Sequence, residues 1–234
     1  MLSLSFLSVL LSSFAHDPQG ESISSESWAG YIISKTNNIK LQVSAINASW
    51  AVPSVNATAG NDFSSVWIGV GGQLDTTLIQ VGTEQDESNG QMNYYAWYEM
   101  LPSFAVRIDT LSVSPGDVVT ASLRLVDLDG SRWNIQINDL TTGQSFGTTV
   151  VYNSTGYSGE WIIERPVVNK NLTTLADFGT VTFTGCYLDA NNISGPIKTF
   201  YFSKIEMTNS VNVPLTSISN LADGGSGFTV SYVP

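Results

Sequence analysis

The sequence predicts an all-β fold, an antiparallel two-sheet β-sandwich, from three observations. Runs rich in Val, Ile, Thr, Tyr and Trp recur along the chain, and turn residues separate them at intervals typical of a sandwich. No stretch of ten or more residues carries a helical period.

The clearest runs are WAGYIIS from Trp28, SSVWIGV from Ser64, TTLIQVG from Thr76 and MNYYAWYEM from Met92. Further runs begin near Val106, Val118, Trp133, Thr148, Gly159, Thr180, Lys198 and Phe228. Each is strand-like because β-branched and aromatic side chains fit a pleated, half-buried surface. Asn89-Gly90, Pro115-Gly116-Asp117, Asp129-Gly130 and Thr142-Gly143 punctuate them, and the Asp127–Gly130 stretch is expected to be a hairpin turn rather than a calcium loop. With no internal repeat and no Pro-rich linker, residues 27–234 read as one domain around one core.

Residues 1–15 are apolar and Ser-rich, with Ser13 and Ala15 placed like the small residues before a signal-peptidase cut, so a secreted, extracellular protein is expected. A basic start to that leader is lacking, the first Lys or Arg being Lys35. Residues 16–26 are then a short N-terminal or propeptide segment. Five Asn-x-Ser/Thr sequons, at Asn47, Asn56, Asn153, Asn171 and Asn192, suit an extracellular chain. Cys186, alone and flanked by strand-like sequence, allows no internal disulfide and is expected to be a small buried hydrophobe.

Charge is scarce and acidic: 12% of residues are charged, with 9 basic against 20 acidic and a net of -11. Such a chain repels phosphate backbones and anionic lipid heads, which argues against nucleic acid or a membrane surface as partner. A low count of charges also suits life in acid, where protonating carboxylates would find few buried ion pairs to break. A monomer is expected.

One histidine, His16, at the edge of the leader, removes whole classes of chemistry. A Ser/His/Asp triad and a Cys/His pair both need imidazole as base, and zinc sites of the hydrolytic type need it as ligand. Asp-Thr-Gly and Asp-Ser-Gly are absent, as is any Gly-rich phosphate loop. No metal and no cofactor are expected. A hydrolase built from this chain would work through carboxylates and amides.

Strand alternation shows where those lie. Tyr95, Trp97 and Glu99 project to one side, as do Leu78, Gln80 and Gly82; in GEWIIERP, Glu160, Ile162 and Glu164 share a face opposite Trp161 and Ile163. Two carboxylates on an apolar strand face are costly to bury, and burial raises their pKa into the range useful to a general acid or base. The alternative is a solvent-facing sheet edge with two ordinary glutamates.

At these residues the sequence resembles the glutamic peptidases, or eqolisins, and most closely their shorter prokaryotic-type members. The matching pieces run in order: SWAGY at Ser27, SWAVP at Ser49, VWIGVGG at Val66, LIQVGT at Leu78, YYAWYEMLP at Tyr94, SPGD at Ser114, GEWIIERP at Gly159 and FGTVTF at Phe178. The resemblance implies a concanavalin-like jelly roll whose concave sheet forms a substrate groove for polypeptides. It places the catalytic pair on Gln80 and Glu164, with Glu160 as second candidate for the acid. Trp28, Trp67, Trp97 and Glu99 match positions lining the cleft, and Tyr95 and Glu160 join them as substrate-binding candidates. The chain departs from fungal members in having Gly71 and Tyr95 where they carry Asp, and in lacking their disulfides.

The chemistry so implied is acid endopeptidase action: Glu164 draws a proton from water as general base, while Gln80 orients that water and donates to the developing oxyanion. A competing class is a carbohydrate-binding, lectin-like sandwich, with Trp28, Trp67 and Trp97 stacked on sugar rings. A glycosidase is less consistent, since Glu160 and Glu164 stand about 13 Å apart along a strand at roughly 3.3 Å per residue. Glu99 could supply a second carboxylate.

Overall fold

Alternation of apolar and polar residues through Arg132–Asp139 sends Trp133, Ile135 and Ile137 inward and Asn134, Gln136 and Asn138 outward, and Val118–Leu125 repeats the pattern beside it. Such strands bury one face only, so a second layer is required to cover it. The computed structural model, which describes residues 21–36, 39–56, 60–127 and 131–234, supplies that layer. The expected leader, His16 and residues 128–130 of the Asp127–Gly130 turn lie outside the described residues.

The smaller sheet runs in the order Ser145–Val151, Arg132–Asp139, Val118–Leu125, Val43–Ala51, Thr180–Ala190, Phe228–Tyr232, Thr216–Ile218. The larger runs Glu21–Ser25, Tyr201–Met207, Trp28–Thr36, Gly159–Glu164, Asn61–Gly71, Leu78–Ser88, Gln91–Met100, Val106–Arg107. Pairing is antiparallel except that Glu21–Ser25 runs parallel to Tyr201–Met207 and Thr174–Leu175 parallel to Asn61–Gly71. The expected sandwich is therefore the observed architecture. The run expected near Lys198 opens instead with a 3₁₀ turn, Ile197–Thr199, before its strand begins at Tyr201.

Between the sheets lies one aromatic-rich core holding Tyr31, Trp50, Trp133, Trp161, Phe183 and Phe228. Each such side chain contributes about 1.5–3 kcal/mol by leaving water. Two indoles also satisfy their N–H groups there: Trp161 donates to the Asn47 carbonyl at 3.0 Å and Trp50 to the Thr83 hydroxyl at 3.1 Å. Cys186 is fully buried in this core, and burial pushes its thiol pKa well up. The ion pairs Arg107–Asp109 and Arg124–Asp189 both lie at the surface.

The central strands of the larger sheet break the one-face rule, Leu78–Ser88 most of all. Leu78–Ser88 is buried at ten successive positions, although Gln80, Glu84 and Asp86 fall on its outer face. A second apolar cluster explains the burial: Trp28, Ile32, Trp67, Leu78, Trp97 and Ile162 carpet the outside of the larger sheet, and Leu101 and Ala105 from the following loop pack onto them.

Candidate active site

Strand register sets the outer face out in rows. Glu164 pairs across the sheet with Trp28 on one side and Ser65 on the other, and Ser65 continues to Glu84 and Tyr95. The next row in the same sense holds Ile162, Trp67, Gly82 and Trp97. Beyond it lie Glu160, Gly69, Gln80 and Glu99. All eight residues singled out from sequence thus share one face, opposite the core-facing Trp161 and Ile163. Gln80 and Glu164 stand on strands separated by Asn61–Gly71, with Trp67 in the row between them.

Glycine makes that middle row possible. A Cβ on Gly82 would lie 2.5 Å from the Trp67 Cβ and 2.3 Å from the Val66 carbonyl oxygen, and one on Gly69 would lie 2.7 Å from the Trp67 ring. With both positions bare, the Trp67 indole spreads over them and donates its N–H to Glu164 Oε2 at 2.8 Å. Trp28 packs edge-on against Trp67, centroids 5.1 Å apart, and also hydrogen-bonds Glu164.

Gln80, 4% exposed, donates from Nε2 to Glu99 Oε2 at 2.6 Å. That bond leaves the second amide N–H and the unpartnered Oε1 free for a bound molecule. Glu99 Oε1 is likewise without a partner. Burial, then the negative charge of Glu164, pushes the Glu99 pKa up to about 8, against the opposing Gln80 hydrogen bond. Glu164 itself, partly exposed, is raised to about 7 by burial, with the Trp28 and Trp67 hydrogen bonds holding it down. Glu160 is fully buried with neither carboxyl oxygen hydrogen-bonded in good geometry, so desolvation raises its pKa well above the usual carboxylate range.

Sequence reasoning missed Glu84 and Asp86, yet the alternation that singled out Gln80 continues straight to them. The Ser65 hydroxyl donates to Glu84 Oε2, Glu84 hydrogen-bonds Asp86, and Tyr95 reaches Asp86 Oδ2 at 3.4 Å. Burial raises both carboxyls, Asp86 to about 7. Both line a cleft of about 500 Å³ beside the Glu164 row. Among the described residues no group of three or more His, Cys, Asp or Glu side chains is placed to hold a metal ion.

The Peptidase A4 family matches residues 26–232, nearly the whole described chain. The chain belongs to the Peptidase A4 family. Among curated proteins, aspergillopepsin-2 of Aspergillus niger is 28% identical over 233 residues, covering 89% of this chain and 78% of that one. Among solved structures, aspergilloglutamic peptidase from Aspergillus niger aligns at 29% identity with TM-score 0.64, covering 74% of this chain and 99% of its own. Scytalido-glutamic peptidase with a transition state analog inhibitor aligns at 22% identity with TM-score 0.74, covering 89% and 98%, and shows the shared fold. This Peptidase A4 member is a glutamic-type peptidase, and the lectin-like alternative is not favoured.

Proposed function

We propose that the protein is a secreted, monomeric acid endopeptidase whose Gln80 and Glu164 activate water for peptide-bond hydrolysis. The observation that carries the reading is the shared face: a hydrogen-bonded amide and an indole-held carboxyl flank one strand, among polar atoms left without partners. Glu164 takes the proton from water as it attacks the scissile carbonyl. The free N–H of Gln80 then donates to the oxyanion, and Glu164 returns the proton to the leaving amine. No imidazole, thiol or covalent intermediate is needed.

A pKa near 7 makes Glu164 a stronger base than an ordinary carboxylate and a scarcer one in acid, which places its useful range on the acid side of neutrality. The same value favours a second reading, in which Glu164 begins the cycle protonated and gives its proton to the carbonyl oxygen from one carboxyl oxygen, while Gln80 holds the water and the Glu164 carboxylate so formed takes the water's proton as the new C–O bond forms. The slope of kcat/KM separates them: base action rises with pH through the Glu164 pKa, acid action falls. Glu164→Gln and Gln80→Ala, assayed on a denatured protein substrate between pH 3 and 7, test the pair itself. Near-full activity in either variant ends the assignment.

A further inference from the structure

The strands that carry Gln80 and Glu99 meet at one end of their ladder at Leu78 and Leu101, two residues before Gln80 and two after Glu99. In an antiparallel ladder every second opposed pair exchanges both backbone hydrogen bonds. Here only one exchange is direct: the Leu101 N–H donates to the Leu78 carbonyl at 2.9 Å. A side chain carries the other. The Tyr152 hydroxyl accepts from the Leu78 N–H at 2.8 Å and donates to the Leu101 carbonyl at 2.8 Å. Burial raises the pKa of the phenol, so the proton it donates stays in place.

Tyr152 is held from outside the two strands that it joins. It follows Ser145–Val151, the edge strand of the smaller sheet, and its own N–H donates to the Ser131 carbonyl at 2.7 Å. Further along the same segment, the Thr155 N–H donates to Thr77 Oγ1 at 3.1 Å and the Thr155 hydroxyl to Asp75 Oδ2 at 2.6 Å. We infer that Tyr152 is a positioning residue for peptide hydrolysis, which ties the Leu78 and Leu101 ends together and so holds Gln80 against Glu99 one step inside. This rests on the peptidase reading and deepens it.

The register explains how one hydroxyl reaches the amide. Gln80 and Glu99 are the next pair of the same kind along the ladder, so the end that Tyr152 closes sets the spacing across which the 2.6 Å side-chain bond forms. Without the hydroxyl, the Leu78 N–H and the Leu101 carbonyl lose their shared partner, and the two backbones must draw together or fray. Either movement shifts the Gln80 amide. A misplacement of about 1 Å can cost on the order of a hundredfold in rate, so a smaller shift is enough to register in kcat.

The test uses the full chain and one fluorogenic peptide at a fixed acid pH, with Tyr152→Phe, which removes only the hydroxyl, made alone and together with Gln80→Ala. Alone, Tyr152→Phe should lower kcat by about tenfold and change KM by less than about twofold. In the Gln80→Ala background it should lower kcat by less than about twofold, because the donor that it positions is gone. An unchanged kcat in Tyr152→Phe overturns the inference and leaves the peptidase standing, and so does a tenfold loss that persists in Gln80→Ala. Should Tyr152→Phe not fold, Thr155→Val loosens the same segment: a loss of about threefold in kcat, confined to chains that retain Gln80, supports the inference, and no loss overturns it. Near-full activity in Gln80→Ala brings down the catalytic pair and this inference together.

Discussion

Trp67 reaches Glu164 because Gly82, one strand away, has no side chain. The 2.8 Å indole hydrogen bond and the 2.5 Å approach that a Cβ on Gly82 would make to the Trp67 Cβ are two ends of one arrangement. Gly82→Ala should therefore destabilise the protein by roughly 1–3 kcal/mol through overpacking and also lower activity by displacing the indole. Denaturant unfolding beside a peptide assay checks both effects.

Trp67→Phe separates packing from hydrogen bonding. Loss of a donor to the ionised carboxylate raises the Glu164 pKa, so whichever limb of the pH–rate profile reports Glu164 should move to higher pH. A limb that stays fixed would detach Glu164 from the chemistry.

Removing the Gln80 side chain should cost roughly a hundred- to thousandfold in kcat, as for other single oxyanion donors, with the melting temperature little changed. Glu99→Ala acts through Gln80: with its 2.6 Å acceptor gone, the amide loses its fixed orientation. The expected result is a lower kcat at nearly unchanged KM. Equal loss in both parameters would assign Glu99 to substrate binding instead.

Stability should be greatest in acid and fall toward neutrality. Glu99 is raised from 4.5 to about 8 and Asp86 from 3.8 to about 7, with Glu84 and Glu160 also raised. A raised carboxyl binds its proton more tightly folded than unfolded. The stability is thus fully present below about pH 4 and is lost as pH rises through 7 to 8. Each kcal/mol moves the melting temperature of a chain this size by roughly 2–4 °C, so scanning calorimetry from pH 4 to 8 should show a drop of at least that size. Glu99→Gln should flatten the curve.

Cys186 should be chemically silent. Fully buried and with its pKa pushed well up, it offers little thiolate, so alkylating reagents should leave the activity of the folded protein unchanged. Labelling should appear only in denaturant.

The fold was legible wherever the apolar period was clean. WAGYIIS, SSVWIGV and MNYYAWYEM each became a strand, because alternation or a continuous apolar run determines which face a sheet buries. Glu21–Ser25 was not foreseen: ESISS carries a single aliphatic residue, Ile23, and owes its strand to parallel pairing with Tyr201–Met207, about 180 positions away, which no local pattern encodes. The site was legible as a set of faces but not as a contact map. Alternation grouped Leu78, Gln80 and Gly82, then Tyr95, Trp97 and Glu99, then Glu160 and Glu164, each within its own strand, whereas the pairing of Gln80 with Glu99 and the packing of residues 101–107 beside Glu84 and Asp86 depend on tertiary structure.

The distribution of charge has a practical edge. The pairs Arg107–Asp109 and Arg124–Asp189 sit at solvent, while burial raises the pKa of the interior carboxyls Asp86, Glu99 and Glu160. Handling at the mildly alkaline pH of routine laboratory buffers would ionise what the fold keeps uncharged, so a preparation found inert there could reflect its buffer rather than its sequence. Extraction and storage at low pH are the sensible first conditions for anyone setting out to measure this protein.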